Sequence, residues 1–227
     1  MSIADNIREI RTKISEYATE CGRTPDSVKL LAVSKTFPAS DVQEAMETAE
    51  QFMFGENRVQ ELSEKVPVLP GSIEWHLIGH LQSNKAAKAA ALASWIHSVD
   101  SEKLLSKLDN AAGCAERKLN ILLEVNVSGE ESKSGIRGED DVMRIAEYAL
   151  TCRNLRWMGL MTMAPAGAEE SVLRKTFGDT RILRDRLQER FGIILPELSM
   201  GMSGDYGYAI QEGATIVRIG TAIFGKR

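Results

Sequence analysis

Apolar and polar positions change their period as the chain is read from its start. Ile3, Ile7, Ile10, Ile14 and Tyr17 recur at three- and four-residue spacing, which predicts an amphipathic helix over 2–20. Beyond it, apolar runs of strand length appear at "KLLAVSK", "QFMFGEN", "IEWHLIG", "SWIHSVD", "NILLEVNV", "LRWMGLMTM", "ELSMGMS" and "ATIVRIG". Between them lie stretches with helical period or composition, such as "ASDVQEAMETAE", "NKAAKAAALA", "SEKLLSKLDNAAGCAER" and "SVLRKTFGDTRILRDRLQERF". Strand-like runs alternating with helical segments are the mark of parallel βα units.

Eight units is the number that closes a (β/α)8 TIM barrel, here with an extra N-terminal helix. The rival is an open doubly wound sheet. It would be favoured by a glycine fingerprint after the first strand, and "SKTFPASD" contains no glycine. About 200 residues of βα units is compact for a barrel, whose usual size is about 250. No linker, low-complexity stretch or internal repeat interrupts the pattern, so residues 1–227 read as a single domain. The polar stretch "SGEESKSGIRGEDD" is its longest loop.

Composition narrows the class. With 43% hydrophobic and 26% charged residues the chain can bury a sizeable core as an ordinary soluble protein. Its net charge of -4 is spread in interleaved acids and bases, which argues against a dedicated nucleic-acid surface. No apolar run approaches the roughly 20 residues of a membrane span, and the charged N-terminus lacks the apolar centre of a secretory signal. Cys21, Cys114 and Cys152 are odd in number and far apart, which suits free thiols in a reducing compartment. The expectation is a cytoplasmic protein with no nucleic-acid and no membrane partner.

Barrels bind ligands at the C-terminal ends of their strands. Those positions hold Lys35, "FGEN" with Glu56 and Asn57, "IGHLQSNK", "NVSG", "GMSGD" and "RIGTAIFG". The segments after strands seven and eight pair small residues with exposed amides at expected helix starts, where anions bind. Barrels often hold a phosphate between those two loops. The plainer reading is that their glycines only serve tight turns.

Lys35 follows the apolar run Leu30–Val33 almost at once. It is either a snorkelling or salt-bridged lysine or a desolvated amine ready to form a Schiff base. A phosphate beside a rim lysine suits two chemistries: a Schiff-base aldolase free of pyridoxal 5'-phosphate (PLP), or a PLP protein. Arg218, two residues before the "GTA" loop of strand eight, could reach the far end of a ring anchored there. A PLP site needs Asp or Arg at the pyridine nitrogen. Arginine keeps its charge and only donates, so it would leave that nitrogen unprotonated and weaken the electron sink. The alternative is an Arg218 paired with an acidic neighbour.

Other features read more plainly. His76 and His80 in "HLIGH" would stand roughly 13 Å apart on a strand, too far for one metal ion. His76 reads as packing, and His80 lies where it could touch a ligand. Lys85 and Lys88 read as a solvated helix face, Lys133 as a solvated loop residue or a second ligand contact, and Met158, Met161 and Met163 as core.

Taken together, "LLAVSKT", "FGENRVQE", "WHLIGHLQSNK", "NVSGEESKSGI", "GLMTM", "LSMGMSGD" and "VRIGTAIFG" resemble the pyridoxal phosphate homeostasis proteins, in the same order from about residue 28 to the C-terminus. The resemblance implies a barrel like that of alanine racemase, the type III fold among PLP proteins. It implies Lys35 as the Schiff-base residue, and Ser203, Gly220 and Thr221 at the phosphate. Arg218 falls at the pyridine nitrogen and Asn57 near the ring. The implied role is storage, buffering or delivery of PLP, with apo PLP-dependent enzymes as recipients. Racemisation needs proton transfer on both faces of a substrate. The chain ends at "IFGKR" without the racemase's further β domain, so the expectation is a monomeric carrier without efficient turnover. The alternative is a PLP-dependent enzyme of racemase type.

Overall fold

Ser2 opens the first helix with a reciprocal cap: its hydroxyl accepts from the Asp5 amide while the Asp5 carboxylate accepts from the Ser2 amide. The computed structural model describes residues 2–130 and 134–225. Helix α1 (Ile3–Glu20) buries Ile7, Ile10 and Ile14 of the stripe that the apolar spacing predicts, together with Ala4 and Ala18, while Ile3 and Tyr17 lie half-buried at its edge. There follow β1 (Lys29–Val33), α2 (Ala39–Ala49), β2 (Met53–Glu56), α3 (Val59–Lys65), β3 (Glu74–Leu77), α4 (Ala86–Leu92) and β4 (Trp95–Val99). The second half adds α5 (Glu102–Cys114), β5 (Leu119–Glu124), α6 (Glu139–Thr151), β6 (Leu155–Met161) and α7 (Glu170–Phe191). It ends with β7 (Glu197–Ser199), α8 (Tyr206–Gln211), β8 (Ile216–Ile219) and α9 (Thr221–Phe224).

All eight strands are parallel and neighbour one another in chain order, and β8 returns to β1 with Lys29 opposite Ile216 and Ala32 opposite Ile219. That last pairing closes the barrel and disposes of the open-sheet rival. Successive strand residues face opposite sides. On β1, Leu30 and Ala32 join the large cluster between barrel and helices, while Leu31 faces the interior and meets Gly55 of β2. Inside the barrel Trp95, Leu122 and Met161 pack together, with Met158 and Met163 against them.

Two sequence expectations shift in detail. The polar loop ends at Gly138, whose φ of 76° caps α6, so its last three residues, Glu139, Asp140 and Asp141, form the first helical turn. Their charges sit at the positive end of the helix dipole. Lys133 lies outside the described residues. Helices α3, α8 and α9 have seven, six and four residues, too short for apolar period to register. Among the described residues no helix is long and apolar enough to cross a membrane, and the three cysteines are unbridged.

Candidate functional site

Because side chains alternate along each strand, the last inward residue of several strands opens onto the C-terminal mouth. There they line one cavity of about 390 Å³. Five of the six expected site residues, Lys35, Asn57, Ser203, Arg218 and Thr221, line it. The sixth, Gly220, precedes Thr221 as the N-cap of α9. A Cβ on Gly220 would come within 3.1 Å of the Val33 carbonyl oxygen, so the α9 turn sits hard against the end of β1.

The loop after β7 is shaped by Gly201, whose φ is +92° and whose Cβ would fall 2.6 Å from that of Ala209. A side chain there is both strained and blocked. The Asp205 carboxylate then accepts from the Met202 amide at 2.6 Å and closes the turn that carries Ser203. Burial raises the Asp205 carboxyl above its ordinary range, and that hydrogen bond opposes the shift.

Lys35 corrects one expectation. It stands two residues beyond β1, is exposed, and makes no hydrogen bond or ion pair with another described residue. It is therefore not the desolvated amine that an apolar strand end suggested. The backbone turns sharply past it: Thr36 has a φ of 71°, uncommon for a β-branched residue, and the Phe37 amide donates to the Ser34 carbonyl. The turn is gripped by α3, where the Glu61 carboxylate accepts from the Thr36 amide at 2.5 Å and the Lys65 ammonium donates to the Ser34 carbonyl at 2.8 Å.

Arg218 is only 4% exposed and is not ion-paired among the described residues. It donates through Nη1 to the Ser199 carbonyl at 2.6 Å and to Ser199 Oγ at 2.8 Å, and through Nη2 to the Thr162 carbonyl at 2.9 Å. Burial lowers its pKa to about 10, with Asp205 and Glu124 opposing, so it stays charged at neutral pH. The acidic-neighbour alternative thus gives way to carbonyl and hydroxyl acceptors.

His76 is fully buried, as packing predicts, with its ring stacked on Trp95 at 5.4 Å and 6°. His80 lines the cavity and lies 3.6 Å from the Asp100 carboxylate. No group of His, Cys, Asp and Glu among the described residues could hold a metal ion. Met163, expected in the core, packs below and also lines the cavity, because it lies two residues past the end of β6. Lys85 and Lys88 are exposed, as read.

Sequence reasoning passed over Glu124, at the end of β5 and 2% exposed. Its Oε1 accepts from Ser134 Oγ at 2.6 Å, and its Oε2 has no partner. Burial raises this carboxyl above its ordinary range. The signal was present: an acid in the apolar run "NILLEV" is costly unless something meets it. His97 and Ser199 were missed as well, and both point inward beneath Arg218. The cavity thus offers a primary amine, two loop hydroxyls beside helix-start amides, a buried cation and an orphaned carboxyl oxygen. That donor set fits a small phosphorylated aldehyde carrying a ring acceptor.

The sequence model of the family described as "Alanine racemase, N-terminal domain" matches residues 2–227. Fold and site thus define a barrel of the alanine-racemase type. The pyridoxal phosphate homeostasis protein of Aquifex aeolicus is 39% identical over 228 residues, covering 100% of this chain and 99% of that protein. Its counterpart in Vibrio alginolyticus is 44% identical over 233 residues, covering 100% and 98%. The chain belongs to the pyridoxal phosphate homeostasis protein family. The solved structure of PipY from Synechococcus elongatus with PLP bound is similar with a TM-score of 0.83 and 40% identity, over 93% of this chain and 100% of that one.

Proposed function

We propose that this chain binds PLP in the cavity at the C-terminal mouth of its barrel and serves intracellular PLP homeostasis by storing, buffering or delivering it. The observation that carries the reading is convergence: Lys35, Ser203, Arg218 and Thr221 come from distant parts of the chain and open on one cavity. PLP has an aldehyde, a phosphate and a ring nitrogen, and the cavity holds a complementary group for each. In this reading Lys35 holds the cofactor covalently. Ser203, Thr221 and the Gly220 turn bind the phosphate, Asn57 lies near the ring, and Arg218 donates to the ring nitrogen. When bound, PLP supplies an electrophilic carbon and a conjugated ring that can accept electrons. Arg218 is a permanent donor, which leaves the ring nitrogen unprotonated and favours holding over turnover. An exposed Lys35 also suits a cofactor that must be handed on, since an incoming amine can reach it. The family name and the PLP in PipY support the same reading. We place the protein in the cytoplasm as a monomer, with apo PLP-dependent enzymes as recipients.

The test is a visible spectrum of the purified protein before and after borohydride, followed by mass mapping. A yellow protein with a pyridoxyl group fixed on Lys35 is expected. An adduct on another lysine, with Lys35 unmodified, would break the assignment, and a colourless protein that binds a sugar phosphate would favour the aldolase. Pyridoxal without its phosphate should bind on the order of 100-fold more weakly, since charge-assisted hydrogen bonds are lost. Equal affinity would remove the phosphate from these loops.

A further inference from the structure

Beneath the cavity floor, five side chains form an unbroken hydrogen-bonded chain through the barrel. Arg218 Nη1 donates to Ser199 Oγ at 2.8 Å, and Ser199 Oγ lies 2.9 Å from His97 Nδ1. His97 Nε2 lies 2.8 Å from His76 Nδ1, and His76 Nε2 lies 3.0 Å from Glu74 Oε1. Ser199, His97 and His76 are fully buried, whereas the Glu74 side chain, at the start of β3, is 43% exposed. The chain therefore runs from the cavity to solvent at the opposite end of the barrel.

Its direction is set at both ends: the guanidinium only donates, and the Glu74 carboxylate only accepts. Ser199 Oγ accepts from Arg218, and its own proton is free to turn to His97 Nδ1. His97 then carries its proton on Nε2 and gives that hydrogen bond to His76 Nδ1. His76 likewise keeps its proton on Nε2 and donates to the Glu74 carboxylate. In this order every member is satisfied with both imidazoles neutral, whereas the reverse order, in which Ser199 Oγ accepts from both Arg218 and His97, requires a charged His76. Burial lowers the pKa of each, and in His76 the Glu74 carboxylate opposes that shift. Barrel interiors are ordinarily filled by branched apolar residues, and two histidines with a serine in that layer are costly unless each is met.

We propose that Ser199, His97, His76 and Glu74 are positioning residues for Arg218, a one-way chain that fixes its guanidinium as a donor toward the ligand's ring nitrogen. This rests on the reading of the cavity as a PLP site. Hydrogen bonds in series polarise one another, so a break at His97 reaches Arg218 through Ser199.

The test has two arms on the full-length protein. Nitrogen-15 spectra of the imidazoles without PLP should show His76 and His97 both neutral and protonated on Nε2 at pH 7. A proton on Nδ1 or a charged ring at either residue would overturn the proposal. In the second arm PLP is added. His97→Phe keeps a ring but breaks the chain, and should weaken PLP binding about tenfold while shifting the absorbance maximum of the bound chromophore. His97→Gln can accept from Ser199 and donate to His76, and should return both readouts toward wild type. Ser199→Ala removes one link at little cost in volume and gives the same shift should His97→Phe not fold. Wild-type affinity and an unshifted spectrum in Ser199→Ala overturn the proposal even if its melting temperature falls. A colourless wild-type protein overturns the cofactor reading and this proposal with it, whereas a yellow wild type with unshifted variants overturns this proposal alone.

Discussion

Two lysines flank the end of β1 and meet opposite fates. Lys65, at the end of α3, is 6% exposed, and its ammonium donates to the Ser34 carbonyl at 2.8 Å and to Glu56 Oε1 at 2.5 Å. Ser34 Oγ donates to the same carboxylate oxygen at 2.7 Å. Lys35, one residue after Ser34, is exposed at the cavity and has no partner among the described residues. Strand alternation separates them: Ser34 turns outward into the helix layer, and Lys35 turns to the interior side. A buried ammonium is tolerated when it is ion-paired and hydrogen-bonded, which makes Lys65 a structural group. Lys35, left unpaired, is the lysine free for the chemistry proposed above. The apolar run before Lys35 points to a desolvated amine, and the structure gives that burial to Lys65 instead.

The sharpest break in this comparison is Lys35→Ala. Borohydride trapping should lose its pyridoxyl adduct entirely, while urea unfolding should move by no more than about 0.5 kcal/mol, as for other exposed positions. A stability loss comparable to that of a buried residue would show that Lys35 is structural after all.

Lys65→Met should do the reverse. Removing one partner of a buried ion pair leaves the Glu56 charge uncompensated and should cost about 3–5 kcal/mol in denaturant unfolding. The folded fraction should still trap PLP on Lys35. A loss under about 1 kcal/mol would mean that water reaches the pair.

That penalty should depend on pH. Burial raises the Glu56 carboxyl above its ordinary range, with Lys65 and Ser34 opposing the shift, and Glu56 Oε2 has no partner. An acid whose folded pKa is raised favours the folded state when protonated. Its contribution is fully present below the unfolded pKa and is lost as pH rises through the folded one. In Lys65→Met the opposing charge is gone, so the deficit against wild type should shrink between pH 8 and pH 5. A deficit that grows on acidification would contradict the raised carboxyl.

The smallest effect belongs to the turn that presents Lys35. Thr36 adopts a φ of 71°, which costs an L-residue roughly 1–2 kcal/mol and glycine almost nothing. Glycine also gains entropy in the unfolded chain, which offsets part of that relief. Thr36→Gly should therefore leave stability unchanged or raise it by up to about 1 kcal/mol. A clear loss would show that the threonine side chain holds the turn.

Much of this molecule is legible in its residues alone. The 3.6-residue spacing of Ile3, Ile7, Ile10 and Ile14 gives α1, and eight apolar runs alternating with helical stretches give the barrel, because each signal is local and repeats within one element. The rule that barrel ligands sit at C-terminal strand ends then selects Lys35, Asn57, Arg218 and the loops after β7 and β8, within which the family resemblance picks out Ser203 and Thr221, and all five line one cavity. Tertiary structure alone decided which lysine is buried and what meets Arg218. It also linked His76, His97 and Ser199 in series across three strands and left Glu124 Oε2 without a partner. The reason is physical: alternation along a strand says which side a residue faces, but not what faces it. His76 and His97 meet across the paired strands β3 and β4, but Ser199 and Arg218 come from β7 and β8, and it is the closed barrel, with β8 against β1, that brings the two pairs within hydrogen-bonding distance.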